Sequence, residues 1–409
     1  MVPNGWKSYP LSEVCRKQIS YGIVQTGDDL PNGIPCLRVV DLTKAVMCAS
    51  DMIKTSEEIH HAYKKTILEE GEIVMALRGE VGLVKSIDSS LSGANITRGL
   101  ARISAKKSVV YPEFLFWELR SPKFRSDLMR RVGGSALQEI SLTELRQVRT
   151  LIPPLVEQKK IAKILSTWDR AISTTEQLLA NSQQQKKALM QQLLTGKKRL
   201  SDDKEWQKMP LEQVAEIRTG VAKGKTGLKD PVNVPYLRVA NVQDGYINLD
   251  EIKEIEIERD KMERFSLKKG DVLMNEGGDF DKLGRGDVWQ GQIVPCLHQN
   301  HVFAVRPDPE VMDSFFLAAL AASNYGKTYF LSCAKRSTNL ASINSTQLKK
   351  FPVLVPSLKE QKKIAAVLTV ADQEITILQQ KLAALKQEKQ ALMQQLLTGK
   401  RRVKVEVAA

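Results

Sequence analysis

Cysteine is sparse in this chain, with five in 409 residues, scattered and without a C-x-x-C pair. That usage excludes a disulfide frame and a zinc ribbon and fits a reducing compartment. Long apolar runs are missing as well. None approaches the ~20 residues that a membrane span needs. The opening "MVPNGWKSYPLSEV" has neither a charged n-region nor an apolar h-region, so nothing marks it for export and the expected location is cytoplasmic, away from any membrane. Aromatics make up only 6% of the chain and histidine numbers four. No Walker A motif, no glycine-rich cofactor loop after a strand and no nuclease-like carboxylate cluster is present, so the chain is expected not to be an enzyme. Cys296, His298 and His301 form a C-x-H-x-x-H run, but a fourth ligand is missing, and no metal site is expected.

Basic charge is abundant. Lys and Arg outnumber Asp and Glu by 61 to 47, giving +14 at pH 7, a field that suits a polyanionic partner. The second conspicuous feature is repetition. "ALMQQLLTGK" stands at Ala188–Lys197 and again at Ala391–Lys400, and "EQKKIA" at Glu157–Ala162 and Glu360–Ala365. Leu155–Lys197 and Leu358–Lys400 share 25 identities over 43 ungapped positions. Looser matches ("YPLSEV" with "MPLEQV", "IPCLRV" with "VPYLRV", "LEEGEIVM" with "LKKGDVLM") extend the repeat at slipping offsets. The chain is a tandem duplication of ~200 residues per copy, too long for a solenoid unit. Each copy is a divergent front domain followed by a closely matching tail.

The tails read as long helices. Ile364, Leu368, Ala371, Ile375, Leu378, Leu382, Leu385, Leu392 and Leu396 fall on alternating steps of four and three, interrupted by Lys389. The first copy has Ile161, Leu165, Trp168, Ile172, Leu179, Leu189 and Leu193, with Thr175, Ser182 and Lys186 as polar gaps. This is coiled-coil spacing, and the two seams are expected to pack on each other. Ser357 with Glu360 reads as a capping box, and Gly196 and Gly399 as left-handed C-terminal caps. At 1.5 Å per residue, ~40 residues make a rod of ~60 Å. The front domains mix short β-like runs ("GEIVMAL", "GDVLMNE", "NHVFAVR") with helical stretches near 113–131 and 311–331. The expected class is α/β, with mixed α+β front domains on two long antiparallel coiled-coil helices and approximate two-fold symmetry. Its expected divisions are 1–152 (front domain), 153–196 (helix), 197–206 (linker), 207–355 (front domain), 356–399 (helix) and 400–409 (basic tail).

The order of divergent domain, "IPPLVEQKKIAKIL" helix, divergent domain, "VPSLKEQKKIAAVL" helix resembles the specificity subunit of type I restriction–modification systems, as do "GGDFDKLGRG" (277–286) and "HQNHVFAVR" (298–306). The resemblance covers nearly the whole chain. It implies a non-catalytic subunit that reads double-stranded DNA as a split target, one half-site per front domain. It also implies two methyltransferase subunits binding S-adenosylmethionine and two restriction subunits using ATP and Mg, with no cofactor in this chain itself. The first domain departs from the pattern: opposite "HQNHVFAVR" it has "ITRGLARIS".

Direct readout explains the duplication. One small domain covers few base pairs of groove, and two domains on one face of a duplex sit about one helical turn, ~34–36 Å, apart. A paired helical rod is a suitable spacer. Domains that read different bases should diverge, whereas helices that bear the same partner twice should stay alike. Candidate DNA contacts are Arg78 and Arg285 in the Gly-rich loops, Arg38 and Arg238 after matching apolar strands, and Lys223 and Lys225 in "VAKGKTG". Asn95, Arg98, His298, Gln299, Asn300 and His301 join them, lying in matching places ahead of a strand. Met190, Leu194, Met393 and Leu397 form a second apolar edge beside the seam, the expected docking surface for the methyltransferase subunits. The competing reading is a coiled-coil scaffold that binds protein or RNA without DNA sequence preference, but it gives no reason for two front domains with similar skeletons and diverged loops.

Overall fold

A computed structural model describes residues 2–134, 138–201, 205–223, 227–278, 280, 283–284, 286–336 and 341–404. The chain divides into two units, Met1–Glu176 with Gln380–Ala409 and Gln177–Gln379. The cut falls within both long helices, α3 (Leu155–Leu193) and α6 (Leu358–Leu396), rather than at the starts of the helices.

In unit 1, β1 (Lys7–Pro10) pairs antiparallel with β9 (Arg149–Ile152), so the front domain is closed by its own two ends. Between them lie two small sheets. One is antiparallel, in the order Ser20–Tyr21 (β2), Leu100–Ile103 (β8), Ile73–Ala76 (β5) and Val84–Ser86 (β6). The other joins Ile53–Thr55 (β4), Ile34–Leu37 (β3) and Asn95–Ile96 (β7), with the last pair parallel. The strand β5, sequence IVMA, is buried at every residue, as an apolar central strand should be. Helices α1 (Pro112–Leu119) and α2 (Pro122–Arg130) start on proline, whose missing N–H costs nothing in a first turn.

Unit 2 repeats this plan. β10 (Gln207–Pro210) pairs with β18 (Pro352–Val355). The four-stranded sheet runs Ala215–Thr219 (β11), Val302–Pro307 (β17), Val272–Asn275 (β14), Gly286–Val288 (β15). The three-stranded one is Lys253–Glu258 (β13), Pro231–Leu237 (β12), Leu297–His298 (β16). Two helices follow, α4 (Ser314–Ala322) and α5 (Asn324–Cys333).

The repeated "EQ" has a structural explanation. Gln158 is fully buried. Its side-chain carbonyl accepts from the Tyr111 amide at 2.6 Å, and its NH2 donates to Val109 and Pro153 carbonyls, which pins α3 to the domain before it. Gln361 does the same with Asp313, Val311 and Pro356. Glu360 is also buried, and it accepts from Arg199, the Leu200 amide and Trp206. The expected capping box is therefore only half made. Ser357 Oγ accepts from the Glu360 amide at 3.3 Å, but the carboxylate turns to Arg199 instead. Glu157 meets Arg402 in the same way. Gly196 and Gly399 adopt φ +73° and +67° and turn the chain toward those arginines.

Within each unit the helical segments pair antiparallel. Asp169 meets Lys389 and Glu176 meets Lys386 in unit 1, while Lys186 meets Asp372 and Ser182 meets Glu374 in unit 2. The polar gaps in the seam are inside and satisfied: Thr175 Oγ1 donates to the Ala171 carbonyl, and Lys389 is held by Asp169.

Candidate nucleic-acid interface

Each unit suspends one turn from three separate segments, the third of which is backed by a fourth. In unit 1 the Thr97 amide donates to the Leu37 carbonyl (2.9 Å) and the Arg98 amide to Ile23 (2.8 Å). The Leu77 amide donates to the Gly99 carbonyl (2.8 Å), and the Ile140 amide to Leu77 (2.9 Å). The close approach depends on Gly22, where an added Cβ would lie 1.8 Å from the Ile96 oxygen. Unit 2 makes the same bonds from Gln299 to Leu237, Asn300 to Val221, Glu276 to His301 and Ile343 to Glu276, at 2.8–3.0 Å. Gly220 stands 2.0 Å, as a Cβ, from the His298 oxygen. The register equates Ile96 with His298, Thr97 with Gln299, Arg98 with Asn300, and Gly99 with His301. The main chain is repeated and no side chain of the turn is.

The structure sorts the candidates by what they can reach. Arg98 is exposed, Gln299 and Asn300 are half-buried, and among the described residues none of the three makes an intramolecular side-chain hydrogen bond. Their donors and acceptors are free for base edges. His301 is exposed beside them, its Nδ1 2.6 Å from Glu276 Oε2. Lys223 is exposed two residues beyond Val221, which bridges to Gln299. Its Nζ lies 5.8 Å from the Tyr236 ring centre. Arg78 adjoins the unit 1 turn, its Cγ 3.6 Å from the position of a Gly99 Cβ, and pairs with Glu139 at 2.5 Å.

Other candidates serve the fold. Asn95 is fully buried. Its Oδ1 accepts from Thr66 Oγ1 (2.8 Å) and its NH2 lies 3.3 Å from His60 Nδ1. His298 is buried with Nδ1 2.7 Å from the Val302 carbonyl, and burial lowers its pKa to about 4, so the ring is neutral and donates there. Neither side chain can face a groove from these positions. Arg38 makes a two-pronged pair with the buried carboxylate of Asp41, at 3.1 and 3.0 Å, at the start of the helical turn Val39–Leu42. Arg238 pairs with Glu251 at 3.4 Å, and Asn241 replaces the aspartate. Lys225 and Arg285 lie outside the described residues.

The expected docking edge is largely taken. Leu194 and Leu397 are fully buried in the cores of units 2 and 1. The C-terminal turn of each helix is apolar on two sides because a front domain of the same chain covers the second side. Met393 is partly buried on the unit 1 core, and Met190 lines a cleft in unit 2. Missed in the sequence was Tyr21, which is 49% exposed and adjoins Gly22 and Ile23 beside the unit 1 turn. The signal was available, since "YGI" and "TGV" recur 198 residues apart with the glycine retained. Among the described residues, no three His, Cys, Asp or Glu side chains are gathered as metal ligands, and no helix is long and apolar enough to cross a membrane.

The family described as type I restriction modification DNA specificity domain matches residues 3–181 and 203–387. The chain belongs to that family. Family relatives include the EcoKI specificity subunit of Escherichia coli K12, 21% identical over 390 residues that span 89% of this chain and 81% of that protein. The MjaVIII specificity subunit of Methanocaldococcus jannaschii is 25% identical over 83% of this chain and 81% of its own. Against the putative MjaX specificity subunit of the same archaeon the match is 27% over 196 residues, so the chain spans about half of that relative, 46%. The fold is shared with the type I restriction–modification S subunit of M. genitalium (TM-score 0.59, 13% identity, 97% of each chain). It is shared also with the HsdS subunit of Thermoanaerobacter tengcongensis (TM-score 0.51, 18% identity, 98% of each chain).

Proposed function

We propose that this chain is the sequence-specific DNA-recognition subunit of a type I restriction–modification assembly, each unit reading one half of a split target. The observation that carries the reading is the turn at Thr97–Gly99 and Gln299–His301. One main-chain frame presents an unpaired guanidinium in unit 1 and two unpaired amides in unit 2. Arginine matches the O6 and N7 acceptors of guanine, whereas Asn and Gln match the donor–acceptor edge of adenine. The same frame with different edge chemistry is what two different half-sites require. The helices α3 and α6, which run through both units, set the number of unread base pairs between half-sites. The chain itself performs no chemistry. Methyltransferase subunits carrying S-adenosylmethionine and restriction subunits using ATP and Mg supply it, two of each, in the cytoplasm.

The test is selection of bound duplexes from a random pool by the chain co-expressed with its methyltransferase partner. Arg98→Ala should relax one base position in one half-site, at a cost of about 1–3 kcal/mol, and leave the other half untouched. Asn300→Ala should do the converse. Lys223→Ala should weaken all sequences alike and flatten the salt dependence. Selection of a continuous motif, or loss of both halves from either variant, would refute the reading.

A further inference from the structure

The two units differ sharply where the front domain meets the long helices. In unit 1, Trp117 of α1 fills this junction. Its Nε1 donates to Ser166 Oγ at 3.1 Å, and Lys389 Nζ lies 4.7 Å from the ring centre. Arg120, three residues on, stacks 4.8 Å from the same ring and reaches Asp169 at 3.9 Å. Phe116 flanks it, with the guanidinium 5.0 Å from its ring centre. The hydrogen bonds of Gln158 to Tyr111 and Gln361 to Asp313 fix the register between α1 and α4. In that register Phe116, Trp117 and Arg120 correspond to Ala318, Ala319 and Ala322. The helix partners are retained in kind: Ser166 becomes Thr369, Asp169 becomes Asp372, and Lys389 becomes Lys186.

Three truncations at one junction leave a void. An open cleft of about 1300 Å³ occupies this place in unit 2, and all three alanines, Thr369, Asp372 and Lys186 line it. Phe315 adds an exposed apolar wall. Among the described residues the lining carries five lysines and three aspartates, with Asp372 paired to Lys186 and Asp244 to Lys327, which leaves Asp287 as the aspartate outside an ion pair. Asp287 of β15 stands where unit 1 has Lys85, and its carboxylate accepts from the Val288 amide. Burial and then Asp372 push its carboxyl above the usual range, while the Val288 amide and the charge of Lys186 oppose the shift.

We propose that this cleft is a docking site for a partner polypeptide that presents an aromatic ring and, one helical turn on, an arginine. Unit 1 shows the complementary chemistry: an indole under a lysine and a guanidinium over the indole reaching an aspartate. Unit 2 keeps the lysine and the aspartate, adds Asp287, and omits the ring and the guanidinium. An arginine entering the cleft would meet Asp287 and Asp372, the latter shared with Lys186 as Asp169 is shared between Arg120 and Lys389 in unit 1, and charge-assisted bonds and ring stacking would hold it there. A consequence is that the two units cannot engage equivalent partners equally. The inference does not depend on DNA reading.

The probe is a fluorescein-labelled, end-capped peptide with the sequence of residues 111–121 of this chain, YPEFLFWELRS, which carries the Trp and Arg at the required spacing. Anisotropy with the full chain should show saturable binding. The double variant Ala319→Trp with Ala322→Arg, which fills the cleft from within, should weaken it at least roughly tenfold. Asp287→Asn should weaken it several-fold, and this variant decides the matter if the filled one misfolds. Absence of saturable binding, or binding that neither variant alters, would overturn the proposal. Duplex selection measured on the same variants should be unchanged, which keeps a failure here distinct from a failure of the DNA reading.

Discussion

The turn Thr97–Gly99 and the turn Gln299–His301 hang from the same main-chain bonds and share no side chain, whereas "ALMQQLLTGK" is repeated letter for letter. The difference follows from what each region touches. The helix ends, with the glycine caps and arginines that follow them, pack on the front domains and are held by a buried glutamate in each unit. The buried leucines, the glycine caps and the arginines there are held by internal partners, whereas Gln191, Gln192 and Lys197 and their counterparts Gln394, Gln395 and Lys400 are exposed. Among the described residues the side chains of Arg98, Gln299 and Asn300 make no hydrogen bond within the chain, while His301 is held by Glu276. Internal contacts account for the buried letters of the repeat, while a partner borne twice would account for the exposed ones.

The largest break in this comparison should come from the shared frame. Gly22→Ala and Gly220→Ala each drive a Cβ into a backbone carbonyl, at 1.8 and 2.0 Å, where no flexible side chain can give way. Each should cost about 3 kcal/mol or more and abolish one half-site only. Urea melts and half-site selection check both. If the two substitutions differed widely in cost, the frames would not be equivalent.

Buried ionisable groups sharpen the contrast. Glu118 in unit 1 is buried where unit 2 has Leu320, and its Oε1 accepts from the Leu151 amide at 2.8 Å. Burial raises its pKa from 4.5 to about 8. Between those values the folded unit holds a proton that the unfolded chain releases, so unit 1 loses stability as pH rises through that window. His298 in unit 2 stands where unit 1 has Ile96 and is lowered from 6.5 to about 4. The folded unit there holds fewer protons than the unfolded chain, so unit 2 loses stability as pH falls from 6.5 to 4. At about 1.4 kcal/mol per pH unit, the effect is on the order of 5 kcal/mol for Glu118 and 3 kcal/mol for His298. The urea midpoint of Glu118→Gln relative to the parent should climb from pH 5 to 9, and that of His298→Leu should climb from pH 7 to 4. Slopes of the same sign would defeat the assignment.

Much of the fold was legible because the chain is written twice. The heptad steps located α3 and α6, the glycine caps fell where φ is positive, and the apolar runs became β5, β14 and β17. The candidate site was legible in place more than in person. The matching of "ITRG" to "HQNH" found the turn, but a polar letter ahead of a strand does not say which way its side chain points. The chain emerges from the core along this stretch, so Asn95 and His298 are buried while Arg98, further on, is exposed and Asn300 half-buried. Arg38 looked equivalent to Arg238 in sequence, yet what holds each is an acid three residues on in one case and thirteen in the other. The docking edge failed for a further reason. Periodicity reveals that a helix face is apolar but not whether a partner or the same chain covers it.

The smallest difference concerns the lysines in equivalent places on the helices. Lys389 is buried, pairs with Asp169 and lies over Trp117; desolvation lowers its pKa, while Asp169 opposes that shift. Lys186 pairs with Asp372 in the lining of the cleft, with no ring beneath it among the described residues. A partly desolvated cation over an indole contributes about 1–2 kcal/mol beyond an ordinary pair, whereas an exposed ion pair contributes about 0–1. Lys389→Met should therefore cost ~1–2 kcal/mol and Lys186→Met less than ~0.5. The double variant Ala319→Trp with Lys186→Met supplies the control: if the indole is what makes Lys389 valuable, placing one under Lys186 should raise the cost of its removal toward that of Lys389. Equal costs for Lys389 and Lys186 in the parent chain would show that the indole adds nothing to the ion pair.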